Sequence, residues 1–377
     1  MEFGWTPEQR ARYDDALTAA RRRFAPESGT PGLAPGDWRA LGELGLLGAS
    51  VEPKYGGGGH GALDTALIFE AFGRGCADTG LVFAAAAHLF ACAMPIAEFG
   101  SVTLRERLLP DMCAGRTVAA NAMTEPQAGS DVATLATTAT RVDGGYLLDG
   151  TKSFVSNGPA ADVFVTYATT DPGAGHFAVT AFAVERHADG VRAGEPFGKL
   201  GMASCPASEV TFTGCFVPDD NVLGERGQGS VVFQQSMLWE RTCLFALYVG
   251  LQERLIEQAV EQVTRRRQFG RPLAEFQSVS NRIVEMKLRL ESSRLLLYRA
   301  CWLIDRDEPD TLASALSKLA VSEAALAGAV DAVQLLGGRG YLTGSGAEAA
   351  LRDAVGGTIF SGASDIQRQI IARELGL

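Results

Sequence analysis

At 377 residues, 46% hydrophobic and 21% charged, the chain has the balance of a globular protein with two or three domains, and disorder is excluded as its theme. A formal net charge of −10 argues against nucleic acid as the main partner, since no broad excess of Lys and Arg is present to neutralise phosphates. Seven scattered cysteines (Cys76, Cys92, Cys113, Cys205, Cys215, Cys243, Cys301) without C-x-x-C favour reduced thiols, and His60, His88, His176 and His187 show no metal-ligand spacing, so no metal site is expected.

The opening, MEFGWTPEQRARYDDAL, is a charged helical start without a signal-peptide pattern. No run of about 18 apolar residues is seen, so a cytoplasmic protein is expected. From Thr6 to about Arg116 the apolar residues recur at helical spacing, as in Trp38, Leu41, Leu44 and in Leu63, Ala66, Leu67, Phe69. Residues 1–116 form the first expected domain. Gly56 to Gly59, entered through Pro53, is a loop between helices and lacks the strand-to-helix context of a phosphate loop. His88 lies in the Ala-rich stretch AAAAHLFACAMP, where a core histidine is favoured over a substrate-facing one.

The texture changes near Thr117. Alternating segments rich in Thr, Val, Phe and Tyr (TTATRV, YLLDG, DVFVTYA, FAVTAFAVE, VTFTGCFV) predict an antiparallel β domain over 117–223, with a hairpin at Asp143-Gly144. Beyond Gly224, in the third domain (224–377), long amphipathic helices are predicted over about Ser230–Arg267, Ser278–Asp305 and Thr311–Leu336. Shorter ones follow near Ala347–Val355 and Ser364–Leu375. The breaks fall at Phe269-Gly270-Arg271-Pro272, Glu308-Pro309 and Gly337-Gly338-Arg339-Gly340. The fold class is α+β: helices, a β domain, then a four-helix bundle.

Within the first bundle helix, Glu240, Leu244, Leu247, Leu251 and Leu255 follow at steps of four and three, so a carboxylate shares the inward apolar stripe. It is too far from the helix start to serve the N-terminal dipole. A buried carboxylate needs a partner, and two readings follow: a structural ion pair, or a general base at a buried site.

Five words, TEPQAGSD (Thr124–Asp131), GTKSFVSNG (Gly150–Gly158), RRRQFGRPLAEFQ (Arg265–Gln277), QLLGGRGY (Gln334–Tyr341) and SGASDIQRQIIARELG near the end, resemble the acyl-CoA dehydrogenase family of FAD flavoproteins. The resemblance spans essentially the whole chain. It implies FAD between the middle and C-terminal domains of a homotetramer or homodimer. By the same resemblance Met123, Thr124, Ser130, Phe154 and Ser156 line the flavin ring, with Phe154 and Ser156 where many relatives carry Trp and Thr. Arg266, with Gln268, Phe269 and Gln277, holds the pyrophosphate across a subunit boundary, and Gln334, Gly337 and Gly338 flank the adenosine half.

Most of that family places its catalytic glutamate in a word Y-E-G-T. Here the word is Phe360-Ser361-Gly362-Ala363, and an unactivated hydroxyl is a poor base for an α-proton. A minority branch, which includes isovaleryl-type enzymes, carries the glutamate before an arginine in the first bundle helix, where Glu240-Arg241 stands. The resemblance therefore implies Glu240 as base, with Ser130, Arg241, Ser361 and Gly362 around the substrate. The segments MLWERTCLFALYVG, IFSGASDIQ and AHLFACAMPI resemble a biosynthetic subgroup that oxidises L-prolyl held as a thioester on a peptidyl carrier protein to pyrrolyl-2-carboxyl. Short or branched acyl-CoA esters, another carrier-bound acyl group, and a flavin-binding paralogue without a base are the competing readings. An electron-transfer flavoprotein or oxygen would reoxidise the flavin.

Overall fold

The computed structural model describes residues 4–24, 32–132 and 134–377, so residues 1–3 of the charged opening lie outside it. Six helices come first: α1 (Pro7–Arg23), α2 (Pro35–Glu43), α3 (Ala62–Gly75), α4 (Thr79–His88), α5 (Met94–Phe99) and α6 (Val102–Cys113). Thr6 opens α1 with a capping box: its hydroxyl accepts from the Gln9 amide while the Gln9 side chain accepts from Thr6 N. Leu44 does not join Trp38 and Leu41 inside; it is 41% exposed, because α2 ends at Glu43. The Gly56–Gly59 loop is a packing device: a Cβ on Gly57 would stand 2.1 Å from the Val51 carbonyl oxygen. Between α4 and α5 the helix widens into a π turn over Leu89–Ala93.

Eight strands follow: β1 (Ala119–Ala122), β2 (Thr138–Val142), β3 (Gly145–Ser156), β4 (Val163–Thr169), β5 (Val179–Glu185), β6 (Val191–Ala193), β7 (Ala207–Pro218) and β8 (Val222–Leu223). They make one sheet in the order β6-β7-β3-β2-β4-β5-β8, with β1 beside β4. Pairing is mostly antiparallel, and Gly144 (φ 74°) closes the expected β2–β3 hairpin, but β1 and β2 both meet β4 in parallel.

The helices then return as α7 (Gly229–Thr242), α8 (Ala246–Arg265), α9 (Gln277–Ile304), α10 (Thr311–Leu336), α11 (Ala347–Gly357) and α12 (Ser364–Glu374), with a small hairpin of β9 (Arg267–Gln268) and β10 (Arg271–Pro272) before α9. The single helix expected over Ser230–Arg267 is two. Thr242 Oγ1 donates back to the Leu238 carbonyl at 2.7 Å, its own backbone leaves the helical region (φ −108°, ψ −83°), and a tight turn over Cys243–Phe245 separates α7 from α8. Despite the break, Leu244, Leu247, Leu251 and Leu255 are all at most 1% exposed.

Two helical stretches, Thr79–Phe99 and Thr311–Tyr341, are long and apolar enough to cross a membrane, which the reading of apolar runs missed. The first is 89% buried as a core helix; the second, 39% buried, packs on α7, α8 and α9. A buried ionic network ties α3 to the bundle: Arg294 bridges Glu70 at 2.9 Å and Glu253 at 2.7 Å, and the Tyr298 hydroxyl donates to Glu70 at 2.7 Å.

Candidate active site

Glu240 lies near the C-terminal end of α7, 7% exposed, where α7 meets the π turn, β5 and α10. Ser236, one turn earlier in the same helix, donates to its Oε1 at 3.2 Å, and Ser361, from the loop between α11 and α12, donates to its Oε2 at 2.7 Å. Burial pushes the carboxyl up to about 7, while the two hydroxyls and the Arg241 charge pull it back. A carboxyl in that state exchanges a proton near neutrality.

Two further groups sense this carboxylate. Cys92 from the π turn and Tyr167 from β4 both have their pKa raised well above the ordinary value, first by burial and then by the Glu240 charge. The Tyr167 hydroxyl has no hydrogen-bond partner among the described residues. Phe90 stacks on Trp239 with centroids 6.1 Å apart and 7° between planes, and Trp239 Nε1 donates to Glu98 at 2.9 Å, so the π turn, α5 and α7 are held together here.

Arg241 is mostly enclosed. Its Nη2 lies 3.7 Å from the place a Cβ on Gly362 would occupy, and its Nε has no hydrogen-bond partner among the described residues. Beside it, Lys318 of α10 is fully buried; among the described residues its ammonium has no hydrogen-bond partner but stands 5.2 Å from the centroid of the Phe245 ring, and burial, then the Arg241 charge, brings its pKa down to about 8. Gln367 Nε2 donates to the Gly362 carbonyl at 3.0 Å.

A second group gathers at the ends of β1 and β3. Ser153 N donates to the Thr124 carbonyl at 2.8 Å, which brings the segment after Met123 against the end of β3 that carries Phe154 and Ser156. Phe154 holds a positive φ of 55° and is 67% exposed, its ring 5.5 Å from that of Phe197. Ser130 is exposed on the Thr124–Asp131 loop, which turns back on itself through paired backbone bonds between Glu125 and Ala128.

Beneath this loop lies a pair that the sequence reading missed. Lys152 and Glu125, with side chains 0% and 1% exposed, are 2.8 Å apart, and Lys152 Nζ also donates to the Met123 carbonyl at 3.2 Å. Glu125 takes the Ala136 and Thr137 amides as well, and this set holds it below the usual carboxylate range. The available signal was a charge inside each of the words TEPQAGSD and GTKSFVSNG.

Arg266, Gln268, Phe269 and Gln277 gather at the α8–α9 turn, and Gln334, Gly337 and Gly338 at the end of α10; all seven are exposed. Arg282 of α9 joins the two clusters by donating to Gln334. His88, by contrast, is core: Nδ1 accepts from Ala119 N at 2.9 Å, its ring meets Trp38 edge-on, and burial lowers its pKa to about 3.

Family models for the acyl-CoA dehydrogenase N-terminal, middle and C-terminal domains match residues 6–116, 120–215 and 227–376. The chain is 56% identical to the L-prolyl-[peptidyl-carrier protein] dehydrogenase of Pseudomonas fluorescens, over 90% of each chain. It is 37% identical to the mitochondrial isovaleryl-CoA dehydrogenase of Oryza sativa subsp. japonica, over 90% of this chain and 82% of that one. The solved structure of PigA with FAD and proline is 41% identical, with a TM-score of 0.97 and all of both chains covered. With all three models in order and a sequence match across nine-tenths of its length, the chain belongs to the acyl-CoA dehydrogenase family.

Proposed function

We propose that the protein is an FAD-dependent dehydrogenase of an acyl or aminoacyl thioester, and that its substrate is L-prolyl on a peptidyl carrier protein, oxidised toward pyrrolyl-2-carboxyl. The observation that carries this is a buried carboxylate, Glu240, poised near neutral pH in a chain 56% identical to an L-prolyl-[peptidyl-carrier protein] dehydrogenase. Glu240 takes the α-proton of the thioester, and its Oε1, with the longer of the two hydrogen bonds, is the freer oxygen to receive it. Arg241 keeps a positive charge beside the carboxylate, which at 7% exposure has little contact with water. Full aromatisation of the ring takes two such oxidations, so Glu240 must shed its proton between them.

The residues present fit FAD. The open face of Phe154 suits ring packing; the backbone and hydroxyls of Met123, Thr124, Ser130 and Ser156 suit the ring edge; and Gly337 and Gly338, with no atom near a would-be Cβ, leave room for close backbone approach. Bound FAD would supply the hydride acceptor. Arg266, Gln268, Phe269, Gln277 and Gln334 would hold the pyrophosphate and adenosine side, shared between copies in a homodimer or homotetramer in the cytoplasm. Oxygen or an electron-transfer flavoprotein would reoxidise the cofactor.

The test is an anaerobic absorbance titration of the FAD-loaded protein with prolyl-loaded carrier protein, isovaleryl-CoA and butyryl-CoA. Bleaching by the prolyl carrier alone is expected. Bleaching by a CoA ester alone would select the second reading, a short-chain or branched-chain acyl-CoA dehydrogenase, which the 37% identity to an isovaleryl-CoA dehydrogenase favours. The net charge of −10 bears on the same choice, because an acidic carrier protein needs a local basic or apolar contact here.

A further inference from the structure

Ser361 is a non-glycine residue with φ 52°, in the left-handed region that L side chains hold only when their surroundings enforce it. The enforcement is visible on both sides. The ring of Phe360 lies 5.0 Å from that of Phe83 on α4, the Gly362 carbonyl accepts from Gln367 at 3.0 Å, and Ser364 N donates to the Thr358 carbonyl at 2.9 Å. This loop is held so that one hydroxyl, Ser361 Oγ, donates to Glu240 Oε2 at 2.7 Å.

We propose that Ser361 is the positioning residue of the base: its hydroxyl fixes the Glu240 carboxylate in the apolar pocket and keeps it ionisable there. This rests on the reading of Glu240 as the base. Among the groups facing that carboxylate, Ser236 gives a longer bond from the same helix, Arg241 gives charge, and Cys92 and Tyr167 stay protonated and add no opposing charge. Among the described residues Ser361 is the one hydrogen-bond donor to the Glu240 carboxylate from outside α7, so it also couples the α11–α12 loop to the state of the base.

Ser361→Gly is the decisive variant, because glycine accepts the positive φ while the hydroxyl is lost together with its single methylene. Ser361→Asn is its partner, since asparagine tolerates the left-handed region and restores an N–H donor. In the FAD-loaded protein we would measure single-turnover flavin reduction against pH, and in 13C-Glu-labelled protein the titration of the Glu240 carboxyl, assigned with Glu240→Gln. Ser361→Gly should move both midpoints upward by about one pH unit, leave Tm undiminished and slow reduction about tenfold below neutrality. Ser361→Asn should recover part of the shift. Weaker substrate binding with unmoved midpoints would make Ser361 a substrate contact, and a lower Tm with unmoved midpoints would make it a loop support; either overturns the proposal. If Glu240→Gln reduced its flavin at the wild-type rate, the base assignment would fall, while the carboxyl titration would still decide whether the hydrogen bond exists.

Discussion

A carboxylate 7% exposed has given up most of its hydration, and the hydroxyls of Ser236 and Ser361 with the Arg241 charge return only part of it, which leaves Glu240 at about 7. Glu240→Gln keeps the shape and removes the proton acceptor. Flavin reduction should fall by about 10²–10⁴-fold with the flavin spectrum retained, read by stopped-flow absorbance. The same substitution has a stability signature. In the unfolded chain the carboxyl releases its proton near 4.5, whereas in the folded chain it keeps it until about 7. Between these values the native state holds the extra proton, so stability is lost as pH rises through that window. Relative to wild type, Glu240→Gln should therefore gain about 2.5 kcal/mol between pH 5 and pH 8, seen as a Tm difference that widens with pH. A pH-independent difference would mean that Glu240 is not strained by burial. The Glu240 position was legible because helical periodicity and family words converged on it. The Ser361 contact was not, because it joins residues 121 apart and no local pattern records it.

At the scale of elements, the loop after β1 and the strand β3 are tied together by the buried Lys152–Glu125 pair, alongside the Ser153–Thr124 backbone bond and the buried Met123, Ala128 and Leu135. Removing only the cation leaves a carboxylate 1% exposed without its counter-charge, a change that destabilises by about 3–5 kcal/mol. Lys152→Met should therefore lower Tm and, by releasing the Met123 carbonyl, weaken FAD retention on dilution. Combining it with Glu125→Gln should restore much of the Tm; a single variant as stable as the double would show that the pair is not coupled. Sequence reading found most bundle helices, since Gly and Pro punctuate them and their apolar faces repeat, and α10 begins and ends at the expected Thr311 and Leu336. It missed the α7–α8 break, where no Gly or Pro stands and a threonine hydroxyl competes for a backbone carbonyl. It missed the parallel neighbours of β4 for another reason: alternation reports which face a residue takes, not which strand it will meet.

At the scale of the molecule, an exposed apolar surface lies around the residues proposed to hold the cofactor's far end. The cluster formed by the α8–α9 turn and the end of α10 exposes Phe269 (93%), Tyr341 (84%) and Leu342 (63%), and the outer face of α9 adds Val284 (62%) and Leu288 (59%). The same region carries Arg266, Gln268, Gln277, Gln334, Gly337 and Gly338, all exposed. A ligand with an aromatic ring at one end and a diphosphate further on can use Phe154 of one copy and Arg266 of another only if the copies stay together. Two outcomes follow. Arg266→Ala, which would remove the charge-assisted contact proposed for this exposed side chain, should weaken FAD binding by about 10–100-fold while the oligomer persists. Leu288→Glu, which puts a charge on the apolar face of α9, should yield monomers that have also lost their flavin, followed by light scattering and absorbance on the same column run. A true monomer that retained FAD at wild-type stoichiometry would place the whole cofactor site within one chain, and the exposed arginine cluster would then need a different ligand.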